Sequence, residues 1–212
     1  MKKILTTMAV AASIMVFSQL NYSVTGGYTM SKLNETVNGE AAQTFDAKHG
    51  YYAGIMAERK WGERIAFQAE AIFINLGGQQ TISQGDLEYT QIFNFNRGHI
   101  PLSFRYYATY ELAVYAGGYF NVRLFDSAKI KVNAEGVTQE QIEQAEKQLE
   151  EYIEENMSPL DYGIHFGSDF KIHKGLFIDA RYSFGLKNLI ENPPGDAKMT
   201  MNFLQVGLGY KF

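Results

Sequence analysis

The feature that most constrains this chain is a hydrophobic period of two, recurring in segments of about ten residues. It is clearest over residues 160–172. There Leu160, Tyr162, Ile164, Phe166, Phe170 and Ile172 share one face, with Ser168 the exception. The other face carries Asp161, Gly163, His165, Gly167, Asp169 and Lys171. Such alternation makes a β-strand with one apolar and one polar side. A soluble sandwich turns the apolar side inward, whereas a membrane barrel turns it to lipid and the polar side to the lumen. The period alone leaves both open.

The connections decide between them. Seven further segments fit the template, at 21–31, 51–59, 65–75, 89–107, 112–124, 176–186 and 200–212. The total of eight is even. Short turns at 60–64, 108–111 and 173–175 alternate with long connections at 32–50, 76–88, 125–159 and 187–199. Short turns at one rim and long loops at the other are the layout of an outer-membrane barrel with both termini in the periplasm. Strands of this length, tilted, match the hydrocarbon thickness. The first and last strands are expected to pair, because an open edge in lipid leaves N–H and C=O groups unsatisfied at several kcal/mol each. The expected fold is therefore all-β, an eight-stranded antiparallel up-and-down transmembrane barrel.

Composition agrees and excludes other classes. The 212 residues are 46% apolar, enough to offset the ordering entropy of folding. The 20 Gly, 14 Tyr and 15 Phe are a strand-and-turn vocabulary. With no cysteine there is no disulfide framework, Cys-ligated zinc, iron–sulfur cluster, thiol nucleophile or lipid anchor on a cysteine. A net charge of −4 without a basic run argues against nucleic acid as a partner. No cofactor is expected.

Residues 1–18 have the layout of a secretory signal peptide. Lys2 and Lys3 form a basic start, residues 4–17 are mostly apolar, and Val16 and Ser18 sit at −3 and −1 of a cleavage site. The barrel domain then runs from 19 to 212. Losing two Lys and no acid takes the formal charge from −4 to −6.

A set of motifs in this order resembles the PorT-type outer-membrane β-barrels of Bacteroidetes, which are OmpA/OmpX-like in architecture. They are Tyr22-Ser-Val-Thr-Gly-Gly-Tyr28, Phe67-Gln-Ala-Glu-Ala71, Ile100-Pro-Leu-Ser-Phe-Arg-Tyr-Tyr107, Ala116-Gly-Gly-Tyr119, Asp161-Tyr-Gly163, Ala180-Arg-Tyr-Ser-Phe-Gly-Leu-Lys-Asn-Leu189 and Gly207-Leu-Gly-Tyr-Lys-Phe212. The family pattern usually has Pro before the Glu of the third strand, where this chain has Ala69. The resemblance implies a compact eight-stranded barrel in the outer membrane and little about activity. Some relatives serve type IX secretion.

An eight-stranded barrel is just wide enough for side chains to fill. The register places Gln68, Glu70, Arg105, Tyr119, Arg123, Asp161, His165, Asp169, Lys171, Asp179 and Arg181 inward. Buried charges persist only when paired, so these are expected to form a salt-bridged plug, with Glu70 near Arg105 and Asp169 near Arg181. Asp161, His165 and Asp169 recur every fourth residue, steps of about 13 Å along a strand. Metal ligands converge within about 2–2.5 Å of one point, so no metal site is expected there. His49, His99 and His173 fall on loops, a rim and a turn. The aromatics toward strand ends suit interface girdles. Tyr210 and the terminal Phe212 resemble the C-terminal signal read by barrel-assembly machinery.

Between 125 and 159 the period changes to about 3.6. Thr138 with Gln141 three residues on forms a capping box. The spacing predicts a helix to Asn156, on the order of 27 Å long, in the third extracellular loop. Ile142, Ala145, Leu149 and Ile153 make its apolar stripe, with Tyr152 beside it. Seven Glu against Lys147 give it a charge of −6. The stripe either caps the barrel mouth or, through Ile142, Leu149, Tyr152 and Ile153, docks an extracellular or outer-membrane partner. The function expected is structural or interaction-based, in contact with outer-membrane lipid. A narrow pore or accessory of a secretion machinery is the alternative. A lipid-directed enzyme is third, without a nucleophile motif to support it, so the chain is not read as an enzyme.

Overall fold

The computed structural model describes residues 20–84, 87–133, 138–193 and 195–212. The leader expected over 1–18 lies outside the described residues. Among the described residues nine strands and one helix follow in chain order: β1 (Leu20–Val37), β2 (Glu40–Thr44), β3 (Lys48–Trp61), β4 (Ile65–Gln84), β5 (Leu87–Tyr107), β6 (Leu112–Asn133), α1 (Gln139–Asn156), β7 (Leu160–His173), β8 (Leu176–Gly185) and β9 (Lys198–Lys211). All strand pairs are antiparallel. Eight of the strands, β1 and β3 to β9, close into a ring through β1–β9 pairing from Ser23↔Lys211 to Thr36↔Lys198. Closure leaves no edge along those paired segments, which is what a lipid environment requires. Among the described residues no helix is long and apolar enough to cross a membrane.

Burial is inverted relative to a soluble protein. Phe104 is 70% exposed and Ile55 62%, whereas Glu70 is 4% and Arg181 2% exposed. The polar faces of the strands point into the barrel and the large apolar side chains clothe its outside, as alternation demands once the solvent is hydrocarbon.

The structure corrects the expected connections. Segment 76–88 is not a loop: β4 and β5 continue to Gln84 and from Leu87, paired throughout that stretch. β6 likewise runs on to Asn133 and β1 to Val37, where β2 adds a short ninth strand. These extensions are amide-rich and broken by Gly77 and Gly78, so their alternation is weak in sequence. Leu124 is a bulge on β6, where the register shifts between Asn96 and Arg97 of β5. Leu124 and Phe125 both point outward, and the inward face changes from Asn121 to Asp126 and Ala128.

α1 begins at the Thr138 capping box, with Gln141 N–H donating to Thr138 Oγ1 at 3.4 Å. It covers the edge of β6 that β7 leaves unpaired beyond Val122. Glu150 accepts the Ala128 N–H at 3.0 Å and Glu146 the Ile130 N–H at 2.8 Å. The four-residue step from Glu146 to Glu150, about 6 Å along the helix, matches two strand residues of about 6.7 Å, so two carboxylates can serve alternate edge amides.

Candidate functional site: the barrel interior

Each strand contributes every second side chain to the interior, and these stack in layers from the short-turn end to the long-connection end. At the short-turn mouth a vestibule of about 550 Å³ is lined by Lys60, Tyr107, Tyr110, Lys171 and Lys211 among others. Lys171 donates to Tyr110 Oη at 2.6 Å and lies over its ring. That ammonium holds the Tyr110 hydroxyl below the usual tyrosine range. Lys171 thus sits at the mouth on an aromatic partner, outside the charge network expected to contain it.

Behind the vestibule lie the ion pairs. Arg105 Nη1 is 3.2 Å from Glu58, and its Nη2 pairs with Asp169. Glu58 also accepts from Lys211 at 2.7 Å and from the Tyr107 hydroxyl at 2.5 Å. Next, Arg181 Nη2 reaches Glu70 at 2.5 Å, and Gln68 donates to the same carboxylate oxygen at 2.7 Å. β4 and β8 are four strands apart either way round the ring, so this pair bridges the full diameter. Tyr115 donates to Asp179, and Arg181 Nε donates to Tyr115 at 3.3 Å.

The expected partners are therefore exchanged: Glu70 pairs with Arg181 rather than Arg105, and Asp169 with Arg105 rather than Arg181. Tilt and stagger bring side chains of opposite walls to one level, so lumen partners are set by barrel shear rather than by adjacent strands. The same register places Asp169 directly opposite Asp179 on β7 and β8. Each of these carboxylates is satisfied by a different partner, Arg105 and Tyr115 respectively.

The third layer holds hydrogen-bonded relays. Ser103 and His165 Nε2 are 2.7 Å apart. His99 donates from Nδ1 to Asn121 at 2.7 Å, and Asn121 donates to Asp161 at 2.9 Å. His99 was expected on a rim; it is wholly buried against Tyr119 and Phe203. Among the described residues no group of three or more His, Cys, Asp or Glu is arranged to hold a metal ion.

Glycines make room for the interior rings. A Cβ on Gly163 would lie 2.0 Å from the Phe184 carbonyl oxygen and 2.6 Å from the Tyr119 hydroxyl. One on Gly207 would lie 2.4 Å from the Tyr52 hydroxyl. These glycines serve close approach rather than a turn.

Above the relays the interior turns apolar. Leu33, Ile72, Ile74, Leu76, Phe95, Met201 and Phe203 are all buried in one cluster with Ile153 of α1. A polar seam crosses it, Lys48 donating to Asn75 at 2.5 Å and Asn75 to Asn96 at 2.9 Å. Arg123, expected in the lumen network, stands at this end. Its guanidinium donates to the Glu154 and Met157 carbonyls at the C-terminus of α1 and pairs with Asp126 at 3.2 Å. A cation on the last helical carbonyls satisfies orphaned acceptors and the helix dipole together. Arg97 pairs with the same Asp126.

Of the helix residues singled out, Ile153 is buried and Leu149 packs on the cluster, Ile142 is half-buried, and Tyr152 is 63% exposed. Tyr210 and Phe212 lie outside the barrel with their rings edge to face at 5.4 Å, and Phe212 N–H donates to Tyr22 at the closing seam.

Alternation missed Glu58 and Lys211 although both share the inward parity of their strands. The available signal was alternation along each strand: Met56 and Glu58 alternate with Ile55 and Ala57 on β3, and Gln205 and Lys211 lie on the face away from Leu204, Val206, Leu208 and Tyr210 on β9.

Several solved outer-membrane proteins are similar to this chain. They include Ail, the attachment invasion locus protein of Yersinia pestis, in complex with the heparin analogue sucrose octasulfate (14% identity, 92% of this chain and 100% of that chain, TM-score 0.45). Neisserial surface protein A is 9% identical over 92% and 100%, with a TM-score of 0.47. OprG from Pseudomonas aeruginosa is 13% identical over 91% and 95%, with a TM-score of 0.41. No curated protein matches the chain in sequence. The outer membrane protein beta-barrel domain family does match, over residues 12–191. That span is most of the chain, and this outer-membrane protein belongs to the outer membrane protein beta-barrel domain family.

Proposed function

We propose that the protein is a closed outer-membrane barrel with a structural or recognition role, presenting its long-connection end outside the cell. The observation that carries this is the filled interior. The Arg181–Glu70 bridge spans the diameter, and an apolar layer from Ile72 to Phe203 stands above it. Ion pairs held by several partners and backed by packed rings leave little room for hydrated ions. The pore reading is correspondingly the weaker one.

On this reading residues 1–18 are removed on export, and both termini face the periplasm. Tyr210 and Phe212 on the outer wall of β9 are the aromatic signal for barrel assembly. The quoted motifs support a PorT-type affiliation within Bacteroidetes. Recognition falls to the outer face of α1, where exposed Tyr152 stands among glutamates, since Leu149 and Ile153 are turned onto the barrel.

Cross-linking in native outer membranes tests the recognition role. Deleting residues 138–156 should leave a heat-modifiable barrel and abolish partner cross-links, and Tyr152→Glu should weaken them. A deletion that leaves every cross-link unchanged would end the recognition reading.

A further inference from the structure

The long-connection end contains a cavity of about 400 Å³ between α1, β1, β4, β5 and the β8–β9 connection. Its floor is buried and apolar: Leu33, Phe45, Phe95, Ile153 and Ala197. Its half-buried rim carries the amides of Gln80, Gln91 and Asn156. Among its described lining residues the sole charged side chain is Glu35. Below the floor the apolar cluster and the relays block passage, so the cavity is a dead end and suits retention rather than transit.

We propose that this cavity binds small cationic amphiphiles, an apolar body bearing a protonated amine. The volume is at the lower end of ligand sites. Packed to interior density it holds on the order of 15 non-hydrogen atoms. Phe45, Phe93 and Phe95 line the space for a buried aliphatic or aromatic body, and the exposed Tyr152 at the opening offers a ring to a cation. Glu35 supplies the counter-charge, and the seven Glu and one Lys on the other faces of α1 disfavour anions approaching this end. Met157 and Met199 line the site and adapt to irregular bodies. The inference goes beyond the proposed function and stands whether or not α1 docks a protein.

Methionine-methyl NMR of the full barrel in phosphatidylcholine nanodiscs tests it, with n-octylamine, 1-octanol and octanoate as probes. Octylamine at pH 7 should shift the Met157 and Met199 methyl signals saturably, while Met30 on the outer wall follows only linear partitioning. The order of affinity should be amine, then alcohol, then carboxylate. Glu35→Gln should weaken octylamine about fivefold and leave octanol unchanged. Ala197→Trp, which fills the floor, should abolish saturation while the barrel stays heat-modifiable; Ile190→Trp does the same if the first variant fails to assemble. Absence of saturable shifts, octanoate binding as well as octylamine, or saturation unchanged in both filled variants would overturn the proposal.

Discussion

The two ends of this barrel are held by different forces. The short-turn half is filled by charges: Arg105, Arg181, Glu58, Glu70, Asp169 and Lys211, each with a named partner. The long-connection half is filled mainly by Leu, Ile, Phe and Met beneath a helix, with a polar seam at Lys48 and the Arg97–Asp126–Arg123 cluster beside it. The difference follows from what surrounds each half. In the lipid-embedded half the outer wall must be apolar, so alternation sends polar residues inward, where they survive only as pairs. Beyond the membrane the strands have water outside and can bury apolar side chains within, as a soluble domain does. A single chain thus carries an inverted protein below and an ordinary one above, and the Leu124 bulge on β6 marks the change of face on that strand.

Variants at each end should fail in different ways. The largest effect is expected at the crowded wall of the lower half. Gly163→Val places side-chain carbon against the Phe184 carbonyl and the Tyr119 hydroxyl. It should abolish the heat-modifiable barrel band, a loss above about 4 kcal/mol. Normal assembly would show that ring packing over the glycine wall is not what fixes the interior.

Charge removal comes next. Arg181→Met strands the buried Glu70 and should cost about 3–5 kcal/mol in urea titrations of the lipid-reconstituted barrel. The double variant Arg181→Met with Glu70→Met should regain most of it, because the cost lies in the unpaired charge rather than in losing the pair. Equal losses in single and double variants would mean that the bridge itself provides the stability.

The upper half should respond as a hydrophobic core. Ile153→Ala leaves a cavity under α1 and should cost about 2–4 kcal/mol if helix and barrel unfold together. It should raise amide exchange at residues 149–157 without altering the lower half. Exchange rising equally at His165 and Arg181 would join the two halves into one cooperative unit. The smallest effect is at the helix–edge contact. Glu146→Gln with Glu150→Gln keeps an acceptor at both positions and should change stability by less than about 1 kcal/mol. Glu150→Ala, in contrast, should speed exchange of the Ala128 amide specifically, since its acceptor is gone.

The same division explains what could be read from the sequence. In the lower half alternation is strict, so the eight strands, the turns and the inward parity of Glu70, Asp161, Asp169 and Arg181 are all legible. Their partners are not, because Glu70 meets Arg181 through the stagger of a closed ring, a property of no single strand. In the upper half the pattern fades. Gly77, Gly78, Gln79 and Gln80 resemble a loop, yet they lie in a ladder with Ile92 and Phe93. Glu146 and Glu150 read as a solvated acidic face, although they serve the edge of β6. Arg123 follows the inward parity of its strand up to the bulge, and the bulge turns it to the helix end instead.

Closure of the interior along its whole length is decided by single-channel recording in planar bilayers. The wild-type barrel should show no stable conductance. Nor should Arg181→Met with Glu70→Met conduct, because the Ile72–Phe203 layer still stands above the removed pair. Stable, ion-selective steps from the wild-type protein would contradict closure.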